Sequence, residues 1–326
     1  MQDSFKRNIN YLRISLTDRC NLRCAYCMPP EGIKWLPHDE VLTIEEILAV
    51  VKAGVEIGIR KVRLTGGEPL VRRGVVDLIR RLNDIPQIDD IAVTTNGILL
   101  GAMAGDLKAA GLSRVNISLD TLKPERFRQI TRCGDLDIVL RSIDTALEYG
   151  LEPVKINTVA MRGFNDDEFV DLAKLTLAKP LHVRFIELMP IGTSDDWSHV
   201  KFVSAQEIKE LISQSLGNLE DVNKMTGSGP ARYYRVPGAP GTIGFISAVS
   251  EHFCASCNRM RLTASGQLRP CLFSGREVDL KKVLRSGGGH DELVRIFQEA
   301  IMSKPDSHDL TTSWEKDDRI MSQIGG

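Results

Sequence analysis

Apolar residues gather in short β-rich runs at 11–16, 61–64, 91–94, 115–119, 154–159 and 183–188, separated by longer segments of a different period. Runs of this length bounded by turn residues read as strands, and a helix between successive strands makes βα units around a parallel sheet. Residues 43–54 put Ile44, Ile47, Leu48 and Val51 on one face, with Thr43 and Glu46 spaced as a capping box, so the spacing predicts a helix. In 136–149 the apolar Ile138, Leu140, Ile143 and Leu147 recur at roughly helical spacing and Gly150 follows as a stop signal; 166–177 repeats the pattern. Six such units predict an α/β fold, an incomplete (βα)6 barrel of the TIM type, because a closed barrel ordinarily takes about eight.

After Pro190 the rhythm changes. Residues 226–244 are rich in Gly, Ser and Pro and carry Pro-Gly turns between short strand-like runs. A boundary near Gly192 is therefore expected, dividing the chain into a partial barrel, 1–191, and a smaller C-terminal domain, 192–326, that covers the barrel's open side. Functional residues of such barrels collect at the C-terminal ends of the strands. The polar residues found there are Cys20, Gly66 to Glu68, Thr95 and Asn96, Asp120, and Glu187.

Composition narrows the choice without deciding it. The 326 residues are 42% hydrophobic with a net charge of −1, so nothing global attracts nucleic acid or an anionic membrane, and neither is an expected partner. The first ten residues lack the apolar core of a signal peptide and no segment has the length of a membrane span, which predicts a cytoplasmic protein. Seven cysteines in such a protein point to metal ligation more than to disulfides.

Their spacing supplies the chemistry. Cys20, Cys24 and Cys27 form C-x-x-x-C-x-x-C just after the first strand, three thiolates that suit three irons of a cubane cluster and leave one iron open. A structural zinc site also uses C-x-x-C pairs and is the alternative. Cys254, Cys257 and Cys271 form a second trio; with His252 nearby, a zinc ribbon and an iron–sulfur cluster fit that spacing equally. Cys133 stands apart in sequence and reads as a packing residue. Arg13, Arg63, Lys155 and Arg184 lie inside apolar strand-like runs, where alternation puts them on one face and a charge needs a partner.

The string from Ser15 to Cys27, with Tyr26 before the third cysteine, resembles the motif of the radical S-adenosylmethionine (SAM) superfamily, and Thr65-Gly66-Gly67-Glu68-Pro69 resembles the same superfamily's motif for the methionine amino group. Phe253 to Thr263, followed by Leu268 to Phe273, resembles the C-terminal region of the GTP 3′,8-cyclase family of molybdenum cofactor biosynthesis, and the likeness runs from Tyr11 to the terminal Gly325-Gly326. This resemblance implies two [4Fe-4S] clusters, held by Cys20, Cys24 and Cys27 and by Cys254, Cys257 and Cys271. It implies that the first cleaves SAM to a 5′-deoxyadenosyl radical and the second positions the guanine of GTP, the product being 3′,8-cyclo-7,8-dihydro-GTP.

By the same likeness Tyr26, Gly66, Gly67, Glu68, Ser118 and Met189 would contact SAM, and Arg13, Arg63, Thr94, Lys155, Arg259 and Arg261 would contact GTP, with Arg184 added on its charge. Gly325 and Gly326 would reach into the active site and assist catalysis. An external electron donor and a downstream enzyme forming cyclic pyranopterin are the implied partners, and a homodimer is allowed. The rival readings are another two-cluster radical SAM enzyme, such as a peptide-modifying one, and a non-catalytic zinc-stabilised scaffold.

Overall fold

The structure, a computed structural model, describes residues 1–191, 201–222, 229–273, 275–308 and 319–325. Six parallel strands form in the expected places: β1 (Tyr11–Ser15), β2 (Lys61–Thr65), β3 (Asp90–Thr95), β4 (Arg114–Ser118), β5 (Lys155–Ala160) and β6 (His182–Glu187). Helices α1 (Ile44–Glu56), α2 (Val75–Asn83), α3 (Leu100–Ala109), α4 (Pro124–Thr131), α5 (Leu136–Glu148) and α6 (Phe169–Ala178) alternate with them. Thr43 and Glu46 close both halves of the capping box at the start of α1, a contribution of about 1 kcal/mol to that helix.

The C-terminal segment adds α7 (Ala205–Leu216), α8 (Leu280–Arg285), α9 (His290–Met302) and the short α10 (Met321–Ile324). Its strands are β7 (Glu220–Asp221), β8 (Arg232–Arg235), β9 (Thr242–Ile246), β10 (Arg259–Leu262), β11 (Gln267–Arg269) and β12 (Val278–Asp279). These strands extend the first sheet instead of building a second one. β9 pairs in parallel with β6, β10 pairs in parallel with β1, and the sheet runs β12-β11-β10-β1-β2-β3-β4-β5-β6-β9-β8-β7. Spacing alone missed this because the short antiparallel β7 and β8 come between α7 and β9, and β10 meets β1 across more than two hundred residues. The expected boundary at Gly192 lies outside the described residues.

Parallel sheets covered on both faces usually read as continuous apolar runs. These strands alternate. Leu12, Ile14, Val62, Leu64, Val115, Ile117, Val183, Phe185, Met260 and Leu262 belong to a single apolar core shared with the helices. The intervening Arg13, Arg63, Ser118, Asn157, Arg184 and Arg261 line one cavity of about 300 Å³. A packed barrel interior would be filled with branched apolar side chains. A polar inner face on a fully covered sheet instead marks a lumen for a polar ligand. Among the described residues, no helix is long and apolar enough to cross a membrane.

Candidate functional site

The cavity is bounded at one end by Cys20, Cys24 and Cys27 and at another by Cys254, Cys257 and Cys271. All seven cysteines are free thiols. The first loop leaves β1 and is pinned from behind: Arg23 N and Ala25 N donate to the carbonyls of Thr131 and Ile130 at the end of α4. The Arg132 guanidinium donates to the carbonyls of Arg23 (2.8 Å) and Met28 (2.9 Å), a support that spacing gave no sign of. Cys133, distant in sequence, lies against this loop with its thiol donating to the Asn21 carbonyl at 3.4 Å.

The paired glycines act on the same loop. A Cβ on Gly67 would stand 2.3 Å from the Arg19 carbonyl oxygen, and one on Gly66 would stand 2.6 Å from that of Thr17. Gly67 N donates to Thr17 O (2.7 Å) and Glu68 N to Arg19 O (2.8 Å), so the glycines let the loop after β2 seat directly on the cysteine loop's backbone. Glu68 is buried and accepts from Thr95 Oγ1 (2.8 Å), Asn96 N (2.8 Å) and Leu70 N (3.0 Å). Burial holds its pKa up at about 7 against those bonds. Tyr26 donates its hydroxyl to Asp120 Oδ2 (2.8 Å), and burial raises Asp120 to about 6. Ser118 and Met189 line the cavity beside them.

This end carries the carboxyl groups of Glu68 and Asp120; Glu187, which holds Ala205 N (2.9 Å) and Val249 N (2.8 Å), lines the same cavity. The middle of the cavity is the reverse. Arg13 stands opposite Arg63 on β2 and opposite Arg261 on β10, three arginines abreast on neighbouring strands. Lys155 and Arg184 face them from β5 and β6, with Arg259 at the start of β10. Like charges directly opposite each other destabilise a sheet.

The cost is visible in the protonation equilibria. Burial brings Arg63 down to about 10, with Arg114, Arg184 and Arg259 adding to it against Tyr11. Burial first and Arg259 second bring Arg261 to about 9. Burial, then Arg184, Arg114 and Arg63, bring Lys155 to about 6. Arg114, which spacing did not single out, is held by Asp90. Arg63 Nε, Arg184 Nε, Thr94 Oγ1 and Asn157 Oδ1 are buried without a hydrogen-bond partner among the described residues. Such a set suits an anion that also bears hydrogen-bonding groups.

The second trio sits where the cations continue. Cys254 opens a short turn in which Cys257 N donates to Cys254 O (3.0 Å). Arg259 reaches Cys257 Sγ at 3.8 Å, and although burial opposes ionisation, Arg259 and Lys304 outweigh it and bring this thiol down to about 6. His252, the candidate fourth zinc ligand, instead packs edge-on against His308, whose Nδ1 lies 3.0 Å from Cys254 Sγ. Phe273 stacks on the other side of His308. His308 carried no signal in the sequence, and Phe273 entered only as the last residue of the C-terminal string that carries the family resemblance. The C-terminal segment enters here as well: Arg261 Nη1 donates to Gly325 O (2.7 Å), and a Cβ on Gly325, at φ +74°, would meet Thr65 Oγ1 at 2.8 Å. Gly326 lies outside the described residues.

The first trio tests what could bind there. Burial pushes Cys20 up to about 11, and raises Cys24 and Cys27 further, so these thiols ionise only against a cationic group. Among the described residues no three His, Cys, Asp or Glu side chains are grouped to hold one metal ion. Three free thiols facing one cavity suit a cluster, in which each binds its own metal atom.

Comparison with known proteins agrees. Residues 14–176 match the model of the radical SAM superfamily, and residues 181–310 match Molybdenum Cofactor Synthesis C. The chain is 58% identical to a GTP 3′,8-cyclase of Desulforamulus reducens and 57% identical to one of Pelotomaculum thermopropionicum, in both cases over 100% of each chain. The chain belongs to the GTP 3′,8-cyclase family. Among solved structures, Streptococcus suis SuiB bound to S-adenosylmethionine superposes with a TM-score of 0.62 at 15% identity, covering 89% of this chain and 68% of that one. Methylornithine synthase superposes at 0.51 with 19% identity over 64% of this chain and 62% of that one. At such identities the likeness is one of fold. Family membership implies SAM and an iron–sulfur cluster.

Proposed function

We propose that the chain converts GTP to 3′,8-cyclo-7,8-dihydro-GTP, the first step of molybdenum cofactor biosynthesis, with SAM as radical source and two [4Fe-4S] clusters. The observation that carries the substrate is the row Arg63, Arg13, Arg261, faced by Lys155 and Arg184: basic side chains, all but the half-buried Arg13 buried, whose charge a triphosphate would hold and neutralise. We read the curled sheet as an incomplete (βα)6 barrel whose open side is covered by the segment after residue 192, so that 1–191 and 192–326 each contribute one cysteine trio.

When bound, the first cluster supplies the electron that cleaves SAM to methionine and a 5′-deoxyadenosyl radical. Cys20, Cys24 and Cys27 would hold it, and Cys254, Cys257 and Cys271 would hold the second beside the guanine. Gly66 and Gly67 keep the cysteine loop seated on β2, leaving their carbonyls, with Tyr26, Ser118, Met189 and Glu68, to receive the cationic end of SAM. Thr94, Arg259 and the cations of the row fix the triphosphate and ribose, so that the 3′ carbon lies at the correct distance from the radical. Gly325 accepts from Arg261 and so sets the direction of that guanidinium toward the substrate; Gly326 extends the same tail. An external reductant delivers the electron, and the product passes to an enzyme that forms cyclic pyranopterin.

The test is incubation of the reconstituted protein with 3′-deuterated GTP, SAM and a reductant. Deuterium in 5′-deoxyadenosine together with cyclised product is the expected result. SAM cleavage with GTP untouched would rule this substrate out. Removing residues 325–326 should leave both clusters assembled and stop cyclisation.

A further inference from the structure

Helix α9 packs into the core through Leu293, Ile296, Phe297, Ala300 and Ile301, and the chain leaves it in a turn closed by Lys304 N on Ile301 O (3.1 Å). The Lys304 side chain is 3% exposed. Its ammonium donates to the carbonyl of Arg259 (3.0 Å) and to that of Pro270. Arg259 stands two residues after Cys257 and Pro270 directly before Cys271, so one side chain ties together the two segments that carry these thiols. Arg7 ties in the third: its Nη1 donates to Cys254 O (3.0 Å) and Asp306 O (2.7 Å), and its Nη2 to Pro305 O (2.6 Å).

The two cations differ in one respect. Arg7 is paired with the buried carboxylate of Asp3 at 2.6 Å. Among the described residues Lys304 has carbonyl partners only, and no carboxylate pairs with it. A buried ammonium bonded to neutral groups keeps a net charge that a nearby anion must answer. The anions that the fold can place there are the thiolates of the second trio and whatever they hold.

We propose that Lys304 is a positioning residue for the second cysteine trio: it fixes the separation of the Cys257 and Cys271 segments and supplies the positive charge that a thiolate-held iron–sulfur cluster needs. This rests on the reading that the trio holds such a cluster.

The test uses the full-length protein, reconstituted without oxygen, with Lys304→Met, Lys304→Gln and Lys304→Arg. Iron and sulfide are counted, and the midpoint potential of each cluster is followed by electron paramagnetic resonance. Lys304→Met removes donor and charge, and should lose the second cluster's share, about half the iron, while the first keeps its spectral response to SAM. Lys304→Gln keeps a donor for the carbonyls but not the charge: it should retain the iron, shift the second midpoint to more negative potential and leave the first unmoved. Lys304→Arg should restore the wild-type midpoint. Full iron and unchanged midpoints in both neutral variants overturn the proposal, as does equal loss of both clusters, the mark of a general folding defect. Wild-type protein holding one cluster's worth of iron would instead remove the two-cluster reading, and this proposal with it.

Discussion

The two cysteine trios face one cavity from opposite electrostatic surroundings. The first lies on a single loop, among Glu68 and Asp120, with its thiols held protonated by burial. The second is assembled from the ends of two segments, beside Arg259 and Lys304, with Cys257 drawn toward the thiolate. The cavity is thus carboxyl-rich at one end and cation-rich from its middle to the other. A ligand carrying a sulfonium and an ammonium suits the first surroundings, and a triphosphate suits the second. On the proposed function, that gradient would sort the two substrates to their own ends of the cavity.

The largest effects should come from removing one thiol at each end. Cys24→Ala should abolish SAM cleavage, because it disrupts the radical source itself. Cys257→Ala should leave SAM cleavage running and remove cyclised product, so that 5′-deoxyadenosine accumulates without loss of GTP. Chromatography of both products checks this. Equal loss of SAM cleavage in the two variants would make the trios one functional unit and end the contrast.

A smaller effect, with opposite signs in two measurements, is expected at Arg63. Arg63→Met removes charge-assisted bonds worth ~1.5–3 kcal/mol, so GTP binding should weaken roughly 10- to 100-fold. The same change relieves repulsion from Arg13 on the neighbouring strand, so the ligand-free protein should melt at a higher temperature than wild type. Thermal unfolding with and without GTP reads both. A lower melting temperature with unchanged GTP binding would show the arginine row to be structural.

The pH dependence of stability sharpens the cation-rich end further. In the folded protein Lys155 has a pKa of about 6, below its ordinary value of 10.5, with burial as the main cause. Between those values the unfolded chain binds a proton that the folded one does not. Stability of the ligand-free protein should therefore rise with pH across that window, by at most about 1.4 kcal/mol per pH unit from this group, and Lys155→Met should flatten the rise. Denaturant unfolding at pH 6.5, 7.5 and 8.5 checks it, and GTP should reduce the slope by bringing further negative charge to this part of the cavity.

How much of this was legible beforehand depended on whether the signal was local. The six strands, the capped start of α1 and the cysteine spacings are local patterns, and each stands where the pattern put it. Arg13 and Arg63 were conspicuous because a charge interrupts an apolar run. Their being abreast with Arg261 was not, because it depends on β10 pairing with β1 across more than two hundred residues. Gly66 and Gly67 stood out through their resemblance to a SAM motif, but that gave no sign that the close neighbour of their missing side chains is the backbone of Thr17 to Arg19. Arg132, Lys304 and His308 act through long-range contacts, and nothing in their sequence surroundings sets them apart from surface residues.

Cys133 gives the smallest expected effect and the sharpest limit on the comparison. Distant in sequence from the first trio, it is its neighbour in space, which raises the question of whether that trio is really a set of four. The geometry says that it is not: the Cys133 side chain is exposed, and its thiol donates to the backbone carbonyls of Asn21 (3.4 Å) and Thr131 (3.7 Å). Such a thiol stiffens the loop slightly and holds nothing. Cys133→Ser keeps a donor for the same carbonyls and should change stability by no more than about 0.5 kcal/mol, with iron content and SAM cleavage as in wild type. Loss of the first cluster's iron in this variant would mean a closed, four-thiol site with no metal position open to a substrate. The first trio would then be structural, and the radical would have to arise somewhere other than the carboxyl-rich end.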